Sequence, residues 1–206
     1  MAAVSHSWAA PILWSSPGGS AWLTNTNWTG NTLPTATDVA QFGADPTGTS
    51  GVGINFSNTT NAGTQTNGQR IEDVGAIEIT SARATAMSVG NSSSIAGATG
   101  TLRLIGATVN GVGDVILRNN SSQSLTIQNS QSSAIQTMAV TLGDTTTNIV
   151  SLDSTGSIII KSGISGSGRI LTVNAASSGD LILSGTNMWS GGTKYHRRIE
   201  RRQTQS

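Results

Sequence analysis

The residues of this chain that could do chemistry are four aspartates, two histidines and a group of tryptophans. Asp114 and Asp180 each follow a glycine where an apolar alternation begins, and Asp144 and Asp153 each follow the end of one. Stacked on adjacent turns of a repeat, such carboxylates could act as the acid and base that cleave a polysaccharide. Standing singly, each is better explained as a turn residue that bonds its own backbone, and that reading is preferred. His6 and His196 are the only histidines, and both lie outside the regular pattern, so neither is expected to be anchored as the base of a Ser-His-Asp arrangement. Trp14, Trp22 and Trp28 are candidate carbohydrate contacts, because flat indole faces stack on the apolar side of a sugar ring. With Trp8 they would equally plug the open end of a repeat array, which is the preferred role. Asn110-Gly-Val-Gly-Asp-Val is a fragment of a calcium-binding β-roll repeat, but that site needs ligands from successive turns. No zinc spacing or P-loop is present. No catalytic, cofactor-binding or metal-binding residue is therefore assigned, and no cofactor is expected.

The elements that must position these residues are short strands. Period-2 alternation bounded by Gly, Asn and Ser puts Leu102 with Leu104, Val115 with Leu117, Leu125 with Ile127 and Val140 with Leu142 on one face. Val150 with Leu152, Ile158 with Ile160, Leu171 with Val173 and Leu181 with Leu183 continue the series, and Ile77 with Ile79 flank an outward Glu78. Helical spacing is sustained nowhere; the one candidate helix is a stub near Tyr195–Arg202. Taken two strands at a time, the repeat is about 18–25 residues, the length of one solenoid coil. Periods near ten also suit an antiparallel sandwich or barrel. The scarcity of hairpin signals favours the solenoid, since Asn110-Gly111 is the only such pair beside a clear strand.

Composition agrees. The chain has 206 residues, no cysteine, 10% charged residues, 4% aromatic residues and 25 glycines. The absence of cysteine excludes disulfides, thiolate metal sites and a thiol nucleophile. No apolar run is long enough for a transmembrane helix. Residues 194–206 hold five basic residues against Glu200, while the other 193 hold six basic and nine acidic. The mildly acidic body offers no stripe for nucleic acid. The N-terminal apolar run Ala9–Trp14 contains Pro11 and has no preceding Lys or Arg, so no export signal is evident.

The stretch Ile164–Thr193 reads ISGSGRILTVNAASSGDLILSGTNMWSGGT. It closely resembles the autotransporter-associated β-strand repeat, also called the passenger-associated transport repeat. The residues that carry the resemblance are Gly179, Leu181, Leu183, Ser184, Gly185, Asn187, Trp189, Ser190, Gly191, Gly192 and Thr193; Trp189 stands where that family usually has Tyr. Trp14, Trp22, Asn27-Trp28, Pro34, Asp38 and Phe42 resemble the opening of large secreted bacterial proteins that carry this repeat. The resemblance implies a right-handed single-stranded parallel β-helix of the pectin-lyase-like type, exported to the cell surface or beyond, with a structural or transport-assisting role and no catalytic residues.

The reading is thus an all-β, right-handed parallel β-helix with an irregular Trp-rich cap over 1–45, a repeat region over 46–193 and a basic, disordered tail over 194–206. Its expected function is that of a non-catalytic, adhesin-like repeat segment of a secreted or surface-exposed bacterial protein. A carbohydrate-binding module built on the N-terminal tryptophans is the first alternative, and a polysaccharide-degrading enzyme the second. Expected partners are cell-surface polysaccharide or other surface proteins, with no nucleic acid and no transmembrane segment. The resemblance continues past Ser-Gly-Gly-Thr with another strand, whereas this chain turns basic. The expectation is a truncated or frame-shifted piece of a longer protein, with a short protein bearing a basic tail as the alternative.

Overall fold

Strands of three to eight residues that alternate aliphatic and polar side chains cannot bury their apolar face alone. They do so here by stacking in parallel. The computed structural model describes residues 11–16, 20–44, 50–56, 65–66, 69–92, 99–130, 136–143 and 146–197. The chain opens with β1 (Pro11–Leu13), two single 3-10 turns (Asn25–Asn27 and Thr29–Asn31) and then runs in circuits. The first circuit is β2 (Val39–Phe42), β3 (Gly51–Ile54), β4 (Gln65–Thr66) and β5 (Gln69–Val74). The second is β6 (Ala76–Ile79), β7 (Met87–Asn91) and β8 (Thr99–Leu104). The third is β9 (Ala107–Val109), β10 (Val112–Asn119), β11 (Leu125–Ser130) and β12 (Thr137–Leu142). The fourth is β13 (Thr147–Leu152), β14 (Ile158–Ile160) and β15 (Ile164–Gly166), followed by β16 (Ile170–Ala175), β17 (Leu181–Leu183), β18 (Asn187–Trp189) and finally β19 (Thr193–Arg197).

Each circuit adds one strand to each of three sheets. Sheet one runs β1-β2-β6-β10-β13-β16-β19, sheet two β3-β7-β11-β14-β17, and sheet three β5-β8-β12-β15-β18. These ladders are parallel throughout; among the described strands only β4 on β5 and β9 on β10 pair antiparallel. The molecule is all-β with parallel sheets, and no described helix is long and apolar enough to cross a membrane. Three strands make a circuit, not two. Register partners lie 22 to 24 residues apart at the C-terminal end (Val150 with Val173, Val173 with Tyr195, Val140 with Ile164). At the N-terminal end they lie as far apart as Ile77 and Leu117.

The register stacks like on like. Ala40, Ile77, Leu117, Val150 and Val173 form one inward file of sheet one. Val52, Val89, Ile127, Ile160 and Leu183 form one in sheet two, and Leu102, Val140 and Ile164 form one in sheet three. The predicted inward residues from Leu102 to Val173 are buried, apart from one change of face described below, and Leu181 and Leu183 pack half-buried against the same core. Burying one such side chain contributes about 1.5–3 kcal/mol. Buried asparagines close the corners: Asn119 Nδ2 donates to Gln123 O (2.9 Å) and Ser157 O (3.1 Å), and its Oδ1 accepts from Ser121 N (2.8 Å).

Three expectations are corrected. Val115 does not share a face with Leu117. A β-bulge at Ile116, where Val115 and Leu117 oppose the adjacent residues Ile149 and Val150, sends Val115 outward to a second apolar cluster with Val39, Ala76, Ala107 and Val109, while Leu117 stays in the main core. The helical stub near Tyr195 is instead a strand, with Thr193–Arg197 paired parallel on β16; Lys194–Arg197 therefore belong to the ladder, and residues 198–202 lie outside the described residues. Segment 46–100, where the alternation names only Ile77 with Ile79, contains β3, β4, β5, β7 and the start of β8 as well as β6. The hairpin read at Asn110-Gly111 is present: both residues have positive φ, 49° and 81°, as a tight two-residue turn requires.

Corner glycines test the packing. A β-carbon on Gly156 would fall inside the carbonyl oxygens of Ser121 and Gln123 on the rung beneath, whereas one on Gly113 would meet nothing within 4 Å. Gly156→Ala should lower stability by about 1–3 kcal/mol, and Gly113→Ala should leave it within about 0.5 kcal/mol. Urea denaturation of both variants checks this.

Candidate functional site

Among the described residues, a connected set of polar side chains lies on the outer face of sheet one. In-register stacking brings Gln41, Glu78, Arg118 and Ser151 into one file. Gln41 Nε2 donates to Glu78 Oε2 at 2.8 Å, and Arg118 Nη1 donates to Glu78 Oε1. Arg118 Nε donates to Asp153 Oδ2 at 2.6 Å, and Ser151 Oγ donates to Asp153 Oδ1 at 2.7 Å. The β9–β10 hairpin folds over this file. With its amide oriented to satisfy both partners, Asn110 Oδ1 accepts from Arg118 Nη1 and Nη2 at 2.8 and 3.0 Å. The side chains of Glu78, Arg118 and Asp153 are 6%, 11% and 25% exposed. Sheet three carries a second pair, a fork in which Arg103 Nε and Nη2 donate to Asp73 Oδ1 and Oδ2 at 2.8 and 2.6 Å. In both pairs the carboxylate lies one rung before the guanidinium.

Chemically, these carboxylates are already engaged. Each oxygen of Glu78 and Asp153 accepts a hydrogen bond, and one guanidinium bridges the two groups. The arrangement ties rungs together; it does not present a free acid and base.

The four aspartates singled out in the sequence are not brought together. Asp153 N donates to Asn119 O and Ala176 N to Leu152 O, so Asp153 stacks between the corner residues Asn120 and Ala176. Asp180 lies beside Ser157, whose Oγ accepts from its backbone N at 3.3 Å. Asp114 lies in β10 at φ 58°, where the pairing with β9 shifts register, and Asp144 lies outside the described residues. His196 is an exposed outward residue of β19 stacked on Asn174, and His6 lies outside the described residues. No group of three or more His, Cys, Asp or Glu able to hold a metal occurs among the described residues.

The tryptophans named as carbohydrate contacts are buried. Trp14, Trp22 and Trp28 are 3%, 0% and 1% exposed. Trp28 meets Trp14 and Trp22 edge to face, with centroids 4.9 Å apart in each pair, and all three rings lean on Phe42. Trp22 Nε1 donates to Glu72 Oε1 at 3.0 Å and Trp28 Nε1 to Trp22 O at 2.8 Å. No indole face of the three is free to stack on a sugar. Trp8 lies outside the described residues.

The signature residues of Ile164–Thr193 build one circuit. Gly179, Gly185 and Gly191 occupy three corners, where a β-carbon would collide with the backbone carbonyls of Gly156, Ser162 and Arg169 on the rung beneath. Leu181 and Leu183 continue the inward files of sheet two, and Ser184 N donates to Ile160 O at 3.0 Å. Asn187 and Trp189 pair with Ile164 and Gly166 in sheet three, and Trp189 Nε1 donates to Gly192 O at 3.2 Å. Ser190 Oγ accepts from Gly168 N at 2.7 Å, Gly192 takes φ 86°, and Thr193 opens the next strand of sheet one opposite Leu171. What the sequence did not disclose was the Gln41–Glu78–Arg118–Asp153 file; the only signal was that Glu78 and Arg118 each sit outward in an apolar alternation.

No protein-family model matches this chain, and comparisons with curated proteins and with solved structures return no match.

The two ion pairs should differ in weight. Arg118→Met strands Glu78 as a buried, unpaired charge and should cost about 3–5 kcal/mol. Arg103→Met breaks a pair that is 35% and 26% exposed and should cost under about 1 kcal/mol. Equilibrium denaturation of the two variants side by side checks the order.

Proposed function

We propose that this chain is a segment of a right-handed parallel β-helix that acts as a non-catalytic, adhesin-like structural shaft of a secreted or surface-exposed bacterial protein. The observation that carries the reading is the cyclic visiting of three parallel sheets, with each rung in register with the last. Connections between parallel strands of one sheet are right-handed in about 98% of cases, which supports the hand. The aromatic cluster and the Trp22–Glu72 bond at the first rung support the cap. The circuit made by Gly179–Thr193 gives a physical reason for every glycine in the motif shared with the autotransporter-associated repeat, and that resemblance supports surface exposure. The shaft works by geometry: rungs hold a stiff core while outward Ser, Thr and Asn present a polar surface for weak multivalent contact with surface polysaccharide or proteins.

Burial of Trp14, Trp22 and Trp28 speaks against the carbohydrate-binding alternative, and the pairing of Glu78 and Asp153 with Arg118 speaks against hydrolysis. The purified chain, incubated with bacterial and plant cell-wall polysaccharides, should release no new reducing ends and show no quenching of tryptophan fluorescence at millimolar sugar. Turnover of any polysaccharide that is lost in Asp153→Asn would overturn the reading, as would saturable quenching.

A further inference from the structure

Asn110 is exposed at the tip of the β9–β10 hairpin, and with Gly111 it spans the two-residue turn between the paired Val109 and Val112. In an Asn-Gly pair the next backbone nitrogen can reach the side-chain amide carbon, because glycine puts no β-carbon in its path. This turn also stands clear of its neighbours: a β-carbon on Gly111 would meet nothing within 4 Å. What sets the turn apart is Arg118. Its Nη1 and Nη2 both donate to Asn110 Oδ1, at 2.8 and 3.0 Å. At such distances fixed donors stabilise an oxyanion as it forms, and a cationic donor does so more strongly than a neutral one. The guanidinium is held in place, since Nη1 also donates to Glu78 and Nε to Asp153, and the side chain is only 11% exposed.

We propose that Asn110 is a self-modification site, at which the Arg118 guanidinium promotes conversion of the asparagine to aspartate and isoaspartate through a cyclic imide. The Gly111 backbone nitrogen gives its proton to water and bonds to Asn110 Cγ. The carbonyl electron pair moves to Oδ1, where Arg118 holds it. The pair then returns, the Cγ–Nδ2 bond breaks, and Nδ2 leaves as ammonia with a proton from water. A second water opens the imide at either carbonyl and gives the two acids. The net change is amide plus water to carboxylate plus ammonium, with no oxidant or reductant. Three carboxylates then share one guanidinium, and the tie between hairpin and file changes from neutral to charged. This inference rests on the hairpin and not on the proposed surface role, so either can fail alone.

The test follows the full chain at neutral pH by peptide mapping, which separates Asn110 from its aspartate and isoaspartate forms. Conversion should be about tenfold faster in the folded chain than in the same chain unfolded in urea. Arg118→Lys keeps a cation beside Glu78 and Asp153 but loses the fork. It should keep the circular-dichroism spectrum and slow conversion about tenfold. A looser hairpin would by itself hasten ring closure, so slowing in this variant reports the lost donors and not a disturbed turn. Conversion at Asn67-Gly68, the other Asn-Gly pair of the sequence, is the reference between parent and variant in the same digests. A folded chain that converts no faster than the unfolded one overturns the proposal. So does a folded Arg118→Lys chain that converts as fast as its parent or faster. Where that variant does not fold, the urea comparison alone decides.

Discussion

The structure depends on one constraint: each strand must lie in register on the strand one circuit earlier. A three-residue strand such as Ile158–Ile160 has no stability of its own. Between Leu125–Ile127 below and Leu181–Leu183 above, it buries both inward side chains and pairs both edges. Register has a period of two, so a slip of one residue would turn every aliphatic file outward. The outer ion pairs reinforce the same register, since Arg118 reaches both Glu78 and Asp153 only when the rungs are aligned.

The corners follow from this. When rungs stack, their corners stack too, and carbonyls of one corner point at the chain of the next. Glycine serves where the approach is closest, as at Gly156, Gly179 and Gly185, because a side chain would have nowhere to go. Asn119 serves where carbonyls would otherwise be buried without donors. A motif rich in Gly, Ser and Asn is thus a packing code as strict as the aliphatic files, although its residues look like loop.

Much of the fold was legible because aliphatic alternation and inward stacking are the same signal. Leu102 with Leu104, and Leu125 with Ile127, needed no further information. What was hidden came from interruptions of that signal. The bulge at Ile116 inserts a residue, and alternation alone cannot report an insertion, so the pattern puts Val115 on the wrong face. In β5 the inward positions hold Arg70 and Glu72, and a strand with charged residues inside reads as loop. In β19 Lys194 and His196 alternate outward around an inward Tyr195, and one apolar residue among polar ones is too short an alternation to announce a strand. Tryptophan spacing announced an aromatic cluster but not whether its faces were open; that depended on Phe42 and Glu72, both distant in sequence.

The circuits differ in length while the rungs do not. A circuit that returns after 40 residues, from Ile77 to Leu117, lands on the same file as one that returns after 22, from Val173 to Tyr195. Doubling a closed loop costs only about 0.6 kcal/mol of chain entropy, little against the burial gained by one aliphatic side chain. Length between strands is therefore nearly free to drift over generations. The N-terminal circuits have room to acquire, lose or exchange peptide at their corners while the shaft beneath keeps its shape, so diversity can accumulate on the outside without disturbing the inheritance of the core.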